Sequence, residues 1–264
     1  MAYGQRLTLA LPAQQMDQKK VCFQESMHLG HNLGLEFIVV SEYTDTDLEG
    51  LESEIMKVHK HRLDARVESG LPELCTRQSV GLVILPGVEA SWLDFFRSPR
   101  YMKLAHRLSC PVLMARGTYP YTAILVPFNG SPESELALET GCDMAKQLGA
   151  KVTVMFVQEP DFLHHDQKQE QGSRQDVMDQ ARQMTHIHKV SMQEIAVTGN
   201  VVREVVSRSA QFNLLVLGSK SPDREWLRPH VGELLMRRSK CSVLLTVLGH
   251  IAVPADTREN GHGV

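Results

Sequence analysis

The sequence predicts an α/β fold in which two doubly wound open parallel-sheet domains, of five strands each, share one chain of 264 residues. Three observations predict it. Short apolar runs alternate with helical apolar stripes, the alternation occurs twice, and the two occurrences match segment by segment. Leu9-Ala10-Leu11-Pro12 and Leu33-Gly34 each lie 115 positions before Ile124-Leu125-Val126-Pro127 and Leu148-Gly149. Val83 to Gly87 and Cys110-Pro111-Val112-Leu113 each lie 131 positions before Leu214 to Gly218 and Cys241-Ser242-Val243-Leu244. The second copy therefore carries a net 16 extra residues, read as a surface insertion around the polar stretch Gln158 to Arg174. The expected organisation is one domain over 1–116, a second over 117–250 and a flexible tail over 251–264.

In the first copy, strands are expected near Leu7–Leu11, Leu35–Val40, Ala65–Glu68, Leu82–Leu85 and Val112–Ala115, with Arg116 to Tyr121 as linker. The second copy opens with a strand over Ala123 to Val126. Asn129-Gly130 then turns the chain, Ser131 is an N-cap, Pro132 fits the first helical turn, and Glu133 and Glu135 suit the positive helix end. Ala137, Gly141, Met144, Ala145 and Leu148 form one helical stripe that stops at Gly149. Val152 to Val157 is the next strand, and Val177, Ala181, Met184 and His188 keep helical spacing. Glu194 to Val197 reads as a strand, Val201 to Ala210 as a helix and Leu214 to Leu217 as a fully buried strand. A helix from about Pro229 to Arg238 and a strand from Val243 to Leu248 complete the copy.

Composition narrows the function. Hydrophobic residues make up 42% and charged residues 22%, which is globular, and 28 Lys plus Arg against 31 Asp plus Glu leave a net charge of -3. That balance supplies no basic field for nucleic acid. Leu7 to Leu11 is too short for the core of a signal peptide, and no apolar run is long enough to span a bilayer. Five isolated cysteines, Cys22, Cys75, Cys110, Cys142 and Cys241, suit a reducing compartment, so a cytoplasmic location is expected, with no membrane partner.

Five segments in order carry a family resemblance: Ile124-Leu125-Val126-Pro127-x-Asn129-Gly130-Ser131, Ala145-x-x-Leu148-Gly149-Ala150, Gly199-Asn200 before a helix, Leu214 to Gly218-Ser219, and Cys241-x-Val243-Leu244. Together they resemble the universal stress protein family in its tandem, two-domain form. The first copy keeps only the frame, in Pro12, Leu33-Gly34, Ser69-Gly70, Leu85-Pro86-Gly87 and Cys110-Pro111-Val112-Leu113, and is the degenerate copy. The resemblance implies a stress-response role and pairing through the last strand of each domain. Covalent linkage favours that contact within one chain, as an intramolecular pseudo-dimer, and a further homo-dimer is compatible with it.

Some members bind ATP, and the resemblance implies where. An acid follows the first strand, Gly-x-x-Gly follows the fourth, and Gly-Ser or Gly-Thr opens the last helix, where backbone N–H groups receive phosphate. Here Asn129 replaces the acid, Gly218 is kept, and Ser221-Pro222 replaces the second glycine. Pro229-His230 falls where Gly-Ser belongs, with Gly232 as the alternative register. Losing one hydrogen bond to a charged group costs roughly 1.5–3 kcal/mol, about tenfold or more in affinity. The expected vestigial nucleotide or anion site is Pro127, Asn129, Gly130, Val157, Gly218, Ser219, Lys220 and His230. Lys220, Arg224, Arg228 and His230 could lend side-chain charge to an anion, or form a solvated loop face. In the first copy Val88-Glu89-Ala90 and Ser98-Pro99 leave no phosphate loop.

Other residues read blandly. Asn129-Gly130-Ser131 is either a residual nucleotide loop or plain turn and cap chemistry. Of His28/His31, His59/His61, His164-His165-Asp166 and His186/His188, only His164-His165-Asp166 clusters in a loop as a metal set could, and the stronger reading is that none holds a metal; His186 and His188 point to different faces of their helix, one solvated and the other beside Met184. Cys110 and Cys241 are expected as small buried hydrophobes with no second cysteine nearby. Trp92, Phe95, Phe96 and Trp226 either plug the empty phosphate loops or offer a protein contact. No nucleophile with a base is readable, so the reading is a non-catalytic binding or regulatory protein with an unidentified protein partner. It has no metal, and no cofactor unless ATP or AMP is retained. The alternative is an ATP- or AMP-binding switch that uses the second domain only.

Overall fold

The computed structural model describes residues 6–11, 19–41, 58–63, 66–87, 100–160, 173–220 and 231–248. The first half runs β1 (Arg6–Leu11), α1 (Lys19–Leu33), β2 (Glu36–Ser41), β3 (Val58–Arg62), α2 (Val67–Arg77), β4 (Val80–Pro86), α3 (Arg100–Ala105) and β5 (Val112–Ala115). The second runs β6 (Ala123–Pro127), α4 (Pro132–Leu148), β7 (Lys151–Gln158), α5 (Arg174–His188), β8 (Met192–Thr198), α6 (Val201–Ser209), β9 (Leu214–Lys220), α7 (Val231–Arg238) and β10 (Ser242–Leu248).

The ten strands of the described residues join one sheet in the order β3-β2-β1-β4-β5-β10-β9-β6-β7-β8. Within each half every pairing is parallel. The halves meet through β5 and β10, which run antiparallel with Leu113 opposite Leu244. The expected contact between last strands is thus observed, and it hides two apolar edges in one joint. Each half reverses its strand order at its first strand, so β1/β4 and β6/β9 are the topological switch points, where open α/β sheets bind ligands.

Alternation along the buried strands builds two cores. On β4, Leu82 and Ile84 enter one core while Val83 and Leu85 enter the other, and on β9 Leu214 and Val216 separate from Leu215 and Leu217 in the same way. The first core is covered by residues of α1, α4 and α5, such as Phe23, Met144 and Val177. The second is covered by α2, α3, α6 and α7 through Leu71, Leu104, Val205 and Leu235. Both cores run across the β5–β10 joint, as Leu113 with Leu244 and Met114 with Val243 show.

One strand lies elsewhere than the sequence predicts. Of the segment Ala65–Glu68, Ala65 lies outside the described residues and Val67 and Glu68 open α2, while the third strand of the first half is Val58–Arg62, paired with β2. Val58-His59-Lys60-His61-Arg62 is an edge strand with four exposed residues, so it carries no apolar alternation to read. Among the described residues, no helix is long and apolar enough to cross a membrane.

Candidate functional site

The strands β6, β7 and β9 are parallel, so Pro127, Gln158 and Gly218 end on one side of the second half, at its switch point. The turn after β6 folds as the local sequence dictates. Ser131 caps α4 by accepting from the Ser134 N–H at 3.3 Å, Pro132 occupies the first turn, and Gly149 closes the helix at φ 68°. Asn129 stands where the resemblance puts an acid. Its Oδ1 accepts from the Ser131 N–H at 3.1 Å, and its own N–H donates to Ser134 Oγ at 3.4 Å. Gly130 takes φ 80°, the left-handed region that favours glycine. A Cβ there would lie 3.0 Å from Gln180 Oε1, because α5 crosses this turn and Gln180 donates to Glu135.

Gly218 has a packing reason for being glycine. A Cβ at that position would lie 1.8 Å from the Glu133 carbonyl oxygen, so the first turn of α4 rests directly on the end of β9. Beyond it, Ser219 Oγ lies 3.4 Å from Nε2 of His106, a residue of the first half, and Lys220 is exposed. Val157 stands apart from the loops. Its side chain is buried in the core on the α6 face, between strands, rather than at the turn.

The other helix starts at this rim carry their own carboxylates. Asn200 caps α6 through the Arg203 N–H at 3.1 Å, and Glu159 at the end of β7 accepts from the Val201 N–H at 3.5 Å. Glu233 lies in the first turn of α7, buried, 3.7 Å from Arg237. With Glu133 and Glu135 on α4, the positive ends of α4, α6 and α7 each carry an acid of the chain itself. His230, Pro229, Arg224, Arg228, Ser221, Pro222 and Trp226 lie outside the described residues.

In the first half the corresponding glycine is closed off. Gly87 donates its N–H to the Ala115 carbonyl at 2.6 Å, and a Cβ on it would meet Arg116 Cγ at 2.6 Å. Arg116 lies over Gly87 and donates from Nη2 to the Met236 carbonyl at 2.7 Å, which caps the end of α7. Val88-Glu89-Ala90, Trp92, Phe95, Phe96 and Ser98-Pro99 lie outside the described residues.

His186 is exposed and His188 half-buried, and Nδ1 of His188 meets Asp143 Oδ1 at 3.2 Å, a polar contact between α5 and α4. One sequence expectation is corrected. Cys110 does have a cysteine beside it. Its thiol interacts with that of Cys75 on α2, and this contact together with burial holds the Cys110 pKa well above the usual thiol value of 9.0. Their 35-residue separation in sequence hid the pair. All five cysteines are buried and free. His59 and His61 are exposed on β3, and His186 is exposed on α5, while His164, His165 and Asp166 lie outside the described residues. Among the described residues no three His, Cys, Asp or Glu side chains converge as a metal site. His106 and Gln180, which reach the turn and the end of β9, carry no sequence mark, since each arrives from an element remote in the chain.

The family model described as the universal stress protein family matches residues 120–246. No curated protein sequence matches the chain. A universal stress protein from Archaeoglobus fulgidus DSM 4304 superposes with a TM-score of 0.67 at 12% identity, covering 93% of this chain and 99% of that one. A putative universal stress protein from Pseudomonas aeruginosa UCBPP-PA14 gives a TM-score of 0.59 at 16% identity, covering 92% of this chain and 93% of that one. At such identities these likenesses show the fold, and they extend over both halves. The second half of the chain, residues 120–246, belongs to the universal stress protein family, and the fold of such proteins spans the two halves.

Proposed function

We propose that this protein is a non-catalytic binding or regulatory protein of the stress response, acting in the cytoplasm through protein contacts, with its nucleotide site largely lost. Residues 1–116 and 117–250 are its two units in this reading. One observation carries it: at the β6–α4 turn, which lies against Gly218, the glycine that the resemblance places in the phosphate loop, the polar groups are already used by the chain. Asn129 Oδ1 and Ser131 Oγ take the Ser131 and Ser134 N–H groups, and Glu133 and Glu135 supply negative charge at the helix start. A phosphate would have to displace these bonds and approach like charge. Glu159 at the α6 start adds to the same field. Pro127, Asn129, Gly130, Gly218, Ser219 and Lys220 are then a vestige of the site, with His230.

Titration calorimetry with ATP and with AMP tests this, together with mass analysis of any nucleotide released when the purified protein is denatured. The expected dissociation constants lie above about 100 μM, with nothing released. Low-micromolar binding, or a stoichiometric co-purified nucleotide, overturns the reading in favour of a nucleotide switch that uses the second half.

A further inference from the structure

The two ends of the ten-stranded sheet differ. At one end β3 exposes His59, Lys60, His61 and Arg62, a charged edge of the kind that blocks strand addition. At the other end β8 pairs with β7 along all seven residues, Met192 to Thr198, and no strand among the described residues pairs with its outer side. This edge is long, has no proline, glycine or lysine, and holds Ile195, Ala196 and Val197 half-buried. Its one charge, Glu194, is held to α5 by Arg182 at 2.7 Å and does not guard the edge.

We propose that β8 is a self-association surface, through which a second copy of this chain adds its own β8 antiparallel about a two-fold axis at Ile195. The sequence of the strand is self-complementary in that register. Ile195 meets itself on the axis, Gln193 faces Val197 of the second copy, and Met192 faces Thr198. Glu194 faces the small Ala196 rather than another carboxylate, so no like charges are opposed. An axis normal to the sheet also sets the two α5 helices side by side on one face. There each β8 is flanked by a cleft of about 460 Å³ between α5 and the edge, lined by Arg174, Gln175, Met178, Arg182, Glu194 and Ala196. The second copy lies across that cleft. Head-to-tail addition of β8 to β3 would propagate without closing, and the charged β3 edge opposes it, whereas the two-fold pairing closes on itself.

Sedimentation equilibrium of the full chain measures the mass, and an Ile195→Cys variant reports the register. Residues on the axis of an antiparallel pair lie close enough for a disulfide, and the five native thiols are buried. The expected result is twice the chain mass, with the introduced thiol giving a covalent dimer under mild oxidation and a Gln193→Cys control giving none. Since the substitution touches a half-buried position, hydrogen exchange of the unaltered chain supplies a second reading: the β8 amides should be protected at high and exposed at low protein concentration. A monomer at all concentrations overturns the proposal, whether its β8 amides exchange freely or are covered by the same chain. A dimer that Ile195→Cys does not trap, with β8 amides that exchange freely, overturns it as well.

Discussion

Glu25 of α1 and Ser242 at the start of β10 stand 217 positions apart and share a hydrogen bond of 2.7 Å, which the serine hydroxyl donates. The same carboxylate accepts from the Tyr121 hydroxyl and the Gly117 N–H. Ser242 Oγ in turn accepts from the Arg116 N–H at 2.9 Å, and its N–H donates to Thr118 Oγ1 at 2.9 Å. One buried acid therefore gathers the first half, the linker and the second half.

Replacing it with Glu25→Ala leaves two hydroxyls and an amide without their acceptor inside the joint. Leaving buried donors without their acceptor costs about 1–3 kcal/mol. Urea unfolding at neutral pH should show that loss as a lower midpoint with unchanged slope. A loss below about 1 kcal/mol, the scale of an exposed contact, would show that the cluster does not hold the halves.

Protonation of Glu25 sets a pH dependence of definite sign. Burial pushes its carboxyl above the ordinary 4.5, against the opposing pull of the bonds from Tyr121, Ser242 and Gly117 and of the nearby Arg116 charge. The folded state thus keeps the proton to a higher pH than the unfolded state. Its stabilising contribution is fully present below pH 4.5 and is lost as pH rises through the folded value. Glu25→Gln cannot titrate and differs otherwise by a constant offset. The melting temperature of the variant minus that of the unaltered chain should therefore increase from pH 4.5 towards neutrality. A difference that stays flat, or falls, would sink this account.

Local chemistry made some elements legible and tertiary contact hid the others. The α4 segment was readable because Ser131-Pro132 at its start and Gly149 at its end are backbone instructions that need no partner. The buried β9 was readable because a strand covered on both faces is a continuous apolar run. β3 was not, since an exposed edge strand spends its side chains on charge rather than on a core. At the site, Asn129, Gly130 and Gly218 were legible as turn and strand-end residues. The side chains that close on them, Gln180 and His106, arrive through folding alone. Glu25 likewise reads as an ordinary helical acid until Tyr121 and Ser242 are placed beside it.

Thiol chemistry gives a further expectation. Burial is the largest cause that pushes Cys22 and Cys142 up to about 12 and Cys241 up to about 11, and Cys110 is raised by Cys75 and by burial. The thiolate is the reactive form, so at mildly alkaline pH the folded chain should resist iodoacetamide. Intact-mass measurement should find the native protein unlabelled and all five cysteines modified once guanidinium unfolds it. A rapidly labelled cysteine in the native chain would reveal an accessible thiol that contradicts this burial.

Gly218 and Gly232 separate packing from phosphate binding as reasons for a glycine. Resemblance assigns both to the nucleotide loops, where either would let a backbone approach phosphate. In the structure a Cβ on Gly218 would overlap the Glu133 carbonyl at 1.8 Å, whereas a Cβ on Gly232, in the first turn of α7, meets nothing within 4 Å. Gly218→Ala must push α4 off β9 and should cost about 1–3 kcal/mol. Gly232→Ala adds no clash, lowers the entropy of the unfolded chain and improves helix propensity, so it should stabilise by about 0.4–1 kcal/mol. Thermal and urea unfolding of both variants, each with and without added ATP, gives the answer. Opposite stability changes that ATP does not alter place Gly218 under packing control and show that neither packing nor phosphate requires a glycine at position 232. A loss of ATP-dependent stabilisation in either variant would instead mean that the loop still binds nucleotide.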